Sequence, residues 1–588
     1  MFKLLKNFPK KDIFLVVIVV ALIVFQVFLD LRLPEYMSEI TQLINNENPE
    51  VSKILENGGM MLLCALGSMA AAMVVGYFVA NVSASFSMRI RKILFDKVED
   101  LSTAEIKKFS VASLITRTTN DITQVQMLIV MGLQMMIKAP ITAVWAIIKI
   151  LDKSWEWSAV TGVAVVLLLS MVVVLMVIVI PRFKIIQKLT DRLNLVVREN
   201  LTGIRVVRAF NAEKYQEEKF KVANDELTDT QIFSQKALSI FSPSMFFIMH
   251  MVTVTIYFVG AYLIDGAENP QDKLLLFSNM VVFSSYAMQV IMSFLMLAII
   301  FMMVPRAQVS ADRINEVLDT KLSQKEGERN VIATTEIGTV EFKDVSFKYP
   351  DAEDYILNDI SFKAERGQTV AFIGSTGSGK STLVNLIPRF YDATKGEILV
   401  DGINVEDYTY ESLYNKLGYV PQKAILMSGT VESNVGFGDD GKGEKTLEQI
   451  KKAIKIAQGT EFVEKMDKQY KARIAQGGTN VSGGQKQRLS IARAIARDPE
   501  IYIFDDSFSA LDYKTDATLR KALKNHAKDA TILIVAQRIG TIMNADKILV
   551  LDNGKCVGMG THKELLKSCP VYLEIAESQL SKKELEGK

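Results

Sequence analysis

Cysteine, histidine and net charge are all scarce in this chain. Three cysteines in 588 residues (Cys64, Cys556 and Cys569) cannot form a disulfide framework, and they lack zinc-ligand spacing. There are only three histidines, His250, His526 and His562. The 68 Lys and Arg nearly balance 66 Asp and Glu, leaving a net charge of +2. That balance argues against a polyanion binder, which carries a strong basic excess, so no nucleic-acid partner is expected. Nor is the chain poor in hydrophobic residues: at 49% hydrophobic it is excluded from global disorder. At roughly 100–200 residues per domain, the length allows about three or four domains and a large buried core. A mildly positive mean hydropathy with 23% charged residues reads as an average over a lipid-soluble part and a soluble part.

The division falls near residue 320. A span needs about 20 apolar residues to cross a hydrocarbon core of about 30 Å. Six segments qualify: 13–33, 57–82, 122–150, 157–180, 237–264 and 274–304. The third holds Lys138 and Lys149, and the fifth holds His250. The first follows Lys3, Lys6, Lys10 and Lys11 like a signal peptide, but it has no small-residue cleavage site and more spans follow. It therefore reads as a retained helix. The basic start places the N-terminus inside. Six acids (Asp30, Glu35, Glu39, Glu47, Glu50, Glu56) against Arg32 and Lys53 place the first loop outside. Residues 89–121 and 182–236 form two long, basic, helical excursions on the cytoplasmic side, and both termini are expected there. The predicted layout is a helical membrane domain over 1–317, a polar linker over 318–337 and an α/β domain over 338–588.

In the second half, a strand runs into Gly374-Ser375-Thr376-Gly377-Ser378-Gly379-Lys380-Ser381-Thr382 and then a helix. This is a P-loop. Its glycines let backbone N–H groups converge on phosphate oxygens, and the helix start adds its dipole. Lys380 is expected on the β/γ-phosphates of ATP and Ser381 on Mg²⁺. The apolar strand 501–504 ends in Asp505-Asp506, which suits a Mg²⁺ and water site beside the P-loop. Between these lies Ser482-Gly483-Gly484-Gln485, opening the helix that carries Arg493. It is a second glycine-rich, anion-binding helix start, and one nucleotide does not obviously need two.

The order of P-loop, Gln422 after a strand, Ser-Gly-Gly-Gln, double acid, Ser509-Ala-Leu-Asp512 and a late switch residue resembles the ABC ATPase domain. With six spans ahead of it, the whole chain is similar to an ABC exporter half-transporter. The resemblance implies two halves that pair, with two ATP molecules between head-to-tail nucleotide domains. It assigns Tyr349 to stacking on adenine, and Gln422 to Mg²⁺, the attacking water and a relay to the membrane part. It assigns Asp505 to Mg²⁺ through water, and Ser482, Gly483, Gly484 and Gln485 to the partner's ATP. Asp512 would link the two sites. In the excursions, 109–116 is expected to dock on nucleotide domains and 210–220 on the partner's. Phe210 and Tyr215 are the candidate contacts, or else ordinary amphipathic turns.

The sequence departs from that family at one ATP site. The family's general base is a Glu after the Walker B Asp; here it is Asp506. Losing one methylene retracts the carboxylate by about 1.5 Å, and base catalysis contributes roughly 10²–10⁴-fold at contact distance. The family's switch His is replaced by Gln537. Residues 475–478 read Ala-Gln-Gly-Gly where the family often has charged residues. The signature motif itself is intact. The expectation is the degenerate-site half of a heterodimeric multidrug exporter in the cytoplasmic membrane, paired with a second half bearing the consensus Glu and His. Alternatives are a flippase for a lipid or lipid-linked substrate, a homodimer with slow hydrolysis, or an ATP-binding regulatory subunit. Peptide export with processing is disfavoured because ten residues before the first span hold no protease domain.

Candidate substrate contacts in the membrane half have two readings each. Met280, Met288, Met292 and Met296 lie in the last span, the last three on one helix face. Met suits varied apolar ligands, or it is packing filler. Lys138, beside Pro140, and His250 either face a cavity or partner or sit near the interface, since a mid-membrane charge costs at least about 2.5–3.5 kcal/mol.

Overall fold

A computed structural model describes residues 1–6, 8–44, 50–151, 155–330 and 336–580. Residues 331–335 of the expected linker and Glu47 of the first loop fall outside that set. The chain divides into two compact units. One holds Met1–Glu99 and Val111–Thr320, the other Asp100–Ser110 and Lys321–Lys588.

The first unit is built from six helices long and apolar enough to cross a membrane. They are α1 (Lys10–Ile44) and α2 (Val51–Glu99), then, past the short α3 (Thr103–Phe109), α4 (Val111–Leu151), α5 (Trp155–Thr202), α7 (Glu213–Asp265) and α8 (Pro270–Leu318). The short α6 (Ile204–Ala209) precedes α7. At 1.5 Å per residue, the 49-residue α2 runs about 73 Å, more than twice the hydrocarbon thickness. Inside the bundle, Val19, Ile23, Val27 and Leu31 of α1 pack against Val75 and Val79 of α2 and the aromatic pair Trp157–Phe283.

Helix α4 is irregular. Two π-helical turns, Arg117–Asp121 and Gly132–Met136, interrupt it, and Pro140 follows the second. Each π turn adds a residue to a helical turn and so rotates everything beyond it relative to a regular helix. Past the second bulge, Lys138 reaches Asp30 of α1 at 3.1 Å, and Lys149 reaches Glu35 at 2.6 Å. Asp30 also accepts from Ser68 of α2 at 2.5 Å. Glu35 accepts from Arg32 at 2.8 Å, and Tyr286 of α8 donates to the Leu31 carbonyl at 3.0 Å. Ser38 and Ser278 share a hydrogen bond at 2.5 Å. The C-terminal half of α1 is thus laced to α2, α4 and α8 by polar groups. Lys138 does not stand alone; it has a carboxylate partner.

The four candidate methionines of the last span differ in burial. Met280 is buried against Gly260 and Trp157, whereas Met292 is exposed and Met288 and Met296 are intermediate. His250 is exposed on α7.

The second unit opens with an antiparallel sheet, β1 (Val340–Phe347) and β2 (Leu357–Ala364), completed by β4 (Lys395–Val400) and β5 (Ile403–Asn404) in the order β2-β1-β4-β5. Its main sheet has β3 (Thr369–Gly374), β6 (Leu417–Val420), β7 (Ile501–Asp505), β8 (Thr531–Val535), β9 (Lys547–Asp552) and β10 (Lys555–Gly560), ordered β10-β9-β3-β8-β7-β6. All neighbours are parallel except β9 and β10. The strands β3, β7, β8 and β9 read as continuous apolar runs because both faces of the sheet are covered, one by helices and the other by the antiparallel sheet together with α9 (Lys380–Leu386). The helices of the first face include α10 (Gly483–Arg497) and α11 (Tyr513–His526).

The pairing of Lys138 with Asp30 is testable by a double-mutant cycle on thermal unfolding. Lys138→Met or Asp30→Asn alone leaves one polar partner behind. Each is expected to lower the unfolding midpoint, and the double variant to recover part of the loss, with a coupling of about 1–2 kcal/mol. Additive losses would show that the pair contributes nothing.

Candidate functional site

Four neighbouring parallel strands deliver four loops to one edge of the main sheet, the carboxyl edge where open α/β sheets place ligands. Strand β3 leads into the P-loop, β6 into Gln422, β7 ends at Asp505-Asp506, and β8 leads to Gln537. The register aligns Val535 with Phe372 and Asp505, and Val420 with Phe504, so the strand ends are level.

In the P-loop, Gly377 and Gly379 have φ of 87° and 95°, backbone that side chains disfavour. A Cβ on Gly379 would lie 2.7 Å from a Leu357 methyl. Lys380 folds back into the loop, donating to the Gly374 carbonyl at 2.9 Å and the Ser375 carbonyl at 2.6 Å. Burial holds its ammonium below the ordinary lysine value, opposed by the nearby charges of Asp506 and Asp505. Ser381, the first residue after it, donates to Asp505 at 2.7 Å.

The two acids behave alike. Burial raises Asp505, which the Ser381 bond offsets and the neighbouring Asp506 reinforces. Burial also raises Asp506, against hydrogen bonds from Gln422, Gln537 and Ser509. One oxygen of Asp506 receives both glutamine amides, Gln537 Nε2 at 2.7 Å and Gln422 Nε2 at 3.4 Å. Asp506 also has φ of 47°, a left-handed conformation that stores backbone strain at a site. The structure therefore brings together Lys380, Ser381, Asp505, Asp506, Gln422 and Gln537.

Tyr349 is placed beside them. Its hydroxyl shares a 3.1 Å hydrogen bond with the Thr382 hydroxyl, at the start of α9. Ser482, Gly483, Gly484 and Gln485 lie apart from this cluster, at the N-terminus of α10. Ser482 caps that helix in a reciprocal box with Gln485. Ser482 and Gly483 are exposed, and a Cβ on Gly483 would meet open space. Asp512 caps α11 by accepting the Thr515 N–H at 2.9 Å.

Composition and motif order gave no role to Asn434, which the structure places at the centre of a clamp. Arg493 of α10 donates to the Asn434 carbonyl at 2.8 Å, to its side-chain oxygen at 3.0 Å and to the Ile425 carbonyl at 3.1 Å. Asn434 in turn accepts from the Met427 N–H and donates to the Met427 carbonyl. The segment that follows Gln422 is thereby tied to the helix that carries the Ser-Gly-Gly-Gln motif. An Arg eight residues past that motif and an Asn twelve past Gln422 were the available signals.

In the membrane unit, Phe210 and Tyr215 are 78% and 69% exposed, so neither ring is used by its own unit. Of the expected docking segment 109–116, Phe109 and Ser110 group with the ATPase unit, as part of Asp100–Ser110, and Val111–Thr116 group with the membrane unit.

Comparison with known proteins agrees with this geometry. The family model of the ABC transporter transmembrane region matches residues 16–310, and that of the ABC transporter matches residues 357–509. An uncharacterized ABC transporter ATP-binding protein of Mycobacterium tuberculosis is 38% identical, over 89% of this chain and 87% of its own. The ATP-dependent lipid A-core flippase of Pseudomonas aeruginosa is 32% identical over 83% of this chain and 79% of its own. A bacterial Atm1-family ABC exporter with ATP bound superposes with a TM-score of 0.79 over 97% of this chain and 99% of that one, at 23% identity. With a multi-pass membrane region and an ATP-binding ATPase domain on one polypeptide, the chain belongs to the ABC transporter family as an exporter-type half-transporter, an arrangement that implies a dimer.

Proposed function

We propose that this chain is one half of a heterodimeric ABC exporter, that its own P-loop forms the weaker of two ATP sites, and that its signature motif completes the stronger one. The observation that carries this reading is the Gln537–Asp506 contact at 2.7 Å. A general base must accept a proton from water at about 2.6–3.2 Å. Here one oxygen of the shortened carboxylate already receives two amide N–H groups, and an amide takes up no proton itself. The exposed Ser482–Gly483 start of α10 is free to meet a partner's nucleotide, in keeping with an intact contribution to the other site.

The donor set fits ATP with Mg²⁺. Ser381, Asp505 and Gln422 offer hard oxygen ligands, and Mg²⁺ commonly takes one or two carboxylates together with substrate phosphates. When bound, Mg²⁺ would supply charge neutralisation on the phosphates. Lys380 would leave its two carbonyl partners for the β/γ-phosphates, and the P-loop N–H groups would hold the remaining oxygens. Tyr349 would support the adenine and Asp512 would communicate between sites. The substrate reading is an amphipathic, drug-like compound moved outward across the cytoplasmic membrane, with both termini inside. A lipid or lipid-linked substrate is the second reading, favoured by the lipid A-core flippases among the relatives. Drug-stimulated ATPase separates the first from the second.

The purified chain alone is expected to show little ATPase activity, and co-purification with a half bearing Glu and His at the two positions to restore it. Robust hydrolysis by the lone chain, abolished by Asp506→Ala, would overturn the degenerate-site reading. Within the dimer, Asp506→Glu alone is expected to raise turnover at this site only slightly. The double variant Asp506→Glu/Gln537→His is expected to raise it by roughly 10²–10⁴-fold, the worth of a placed general base, read by single-turnover hydrolysis with the partner's site disabled.

A further inference from the structure

Helix α3 belongs to the ATPase unit, and three of its residues seat it there. Glu105 accepts the backbone N–H groups of Ser102 at 2.7 Å and Ser323 at 3.1 Å. Phe109 is buried, and Ala104 packs on the same core as Tyr349 and Phe390. Lys107, by contrast, is exposed and anchors nothing by burial. Its ammonium stands 5.3 Å from the centre of the Tyr349 ring and 5.4 Å from that of Tyr391. Those rings meet edge to face, with centres 5.2 Å apart at 87°, and Phe347 closes on Tyr349 at 5.0 Å and 81°. A cavity of about 280 Å³, lined by Ala104, Phe347, Tyr349, Phe390 and Tyr391 among others, opens beside these rings.

We propose that Lys107 is a positioning residue for Tyr349: by holding the ring from α3, it sets the affinity of this P-loop for the base of a nucleotide. The geometry is that of a cation over an aromatic face within about 6 Å of the ring centre, an attraction worth about 0.5–1 kcal/mol at an exposed site. Tyr349 is within reach of the phosphate cradle, because its hydroxyl already bonds Thr382, two residues past Lys380. A base whose phosphates occupy the P-loop therefore lies where this ring can support it. The Tyr391 hydroxyl beside Lys107 raises its ammonium above the ordinary lysine value against burial, so the cation stays charged. The consequence is a direct path from α3, a segment inserted between membrane helices α2 and α4 in the sequence, to base capture. The proposal rests on the reading of Tyr349 as the base-supporting residue.

The test uses the full chain in lipid nanodiscs, with Mg-ATP and inorganic tripolyphosphate as ligands. Lys107→Met is expected to weaken ATP binding about two- to five-fold, the worth of one cation over an aromatic ring, and to leave tripolyphosphate binding unchanged. Lys107→Arg is expected to restore ATP affinity. Tyr349→Ala is expected to weaken ATP about tenfold, the worth of one stacked base, and adding Lys107→Met to it is expected to do nothing more. Equal loss for ATP and tripolyphosphate in Lys107→Met would reduce Lys107 to a general structural role and overturn the proposal. Unchanged ATP binding in Lys107→Met beside a clear loss in Tyr349→Ala would also overturn it, with the base-supporting reading intact. Unchanged ATP binding in Tyr349→Ala would remove that reading and the proposal together.

Discussion

The register of four parallel strands is the constraint on which the ATPase unit depends. Side chains alternate faces along a strand, so a one-residue slip moves a whole strand's apolar set to the wrong side. Here β3, β8, β7 and β6 are buried on both faces, and the apolar runs alone would tolerate a shift. The polar ends do not. Asp505 must meet Ser381, and Asp506 must meet Gln537 and Gln422, across strand ends that are level only in this register. The same contacts that assemble the site thus pin the sheet that presents it. The costs are visible in the same place: two acids raised by burial, a lysine lowered by it, and a left-handed backbone at Asp506.

The membrane unit solves the opposite problem. Its helices are held by apolar packing that lipid tails could replace, so specificity must come from polar groups. The C-terminal half of α1 supplies it, with Asp30, Glu35 and Ser38 reaching Lys138, Lys149 and Ser278 on other helices. Because an unpaired charge in hydrocarbon is costly, each such pair selects one arrangement over many similar ones.

What could be read from the sequence follows the range of the interactions. Six apolar runs, the P-loop, the double acid and the Ser-Gly-Gly-Gln motif are local patterns, and six long helices fused to an α/β ATPase domain are what the chain forms. Gln537 was legible as a replaced histidine, but its bond to Asp506 was not, because 31 positions, with a helix and a strand between, separate them. Asp30 read as one of several loop acids, since nothing in the sequence says that α1 continues to Ile44 through Pro34. The π turns of α4 defeat face arguments outright, because 3.6-residue periodicity loses phase across each. The break between α3 and α4 was not legible either: Ser110, at φ 59°, ends the helical run, and no glycine marks it.

Gln537 has one more consequence. An imidazole changes charge between about pH 5 and 8, and a carboxamide does not. The side chains that bond the Asp506 carboxylate, Gln537 and Gln422, both offer carboxamides. The charged groups of the cradle are Lys380, held below its ordinary value by burial, and Asp505 and Asp506, both raised by it. A histidine in that place would gain positive charge beside the phosphates as the pH falls, whereas Gln537 presents Asp506 with the same neutral amide at every pH.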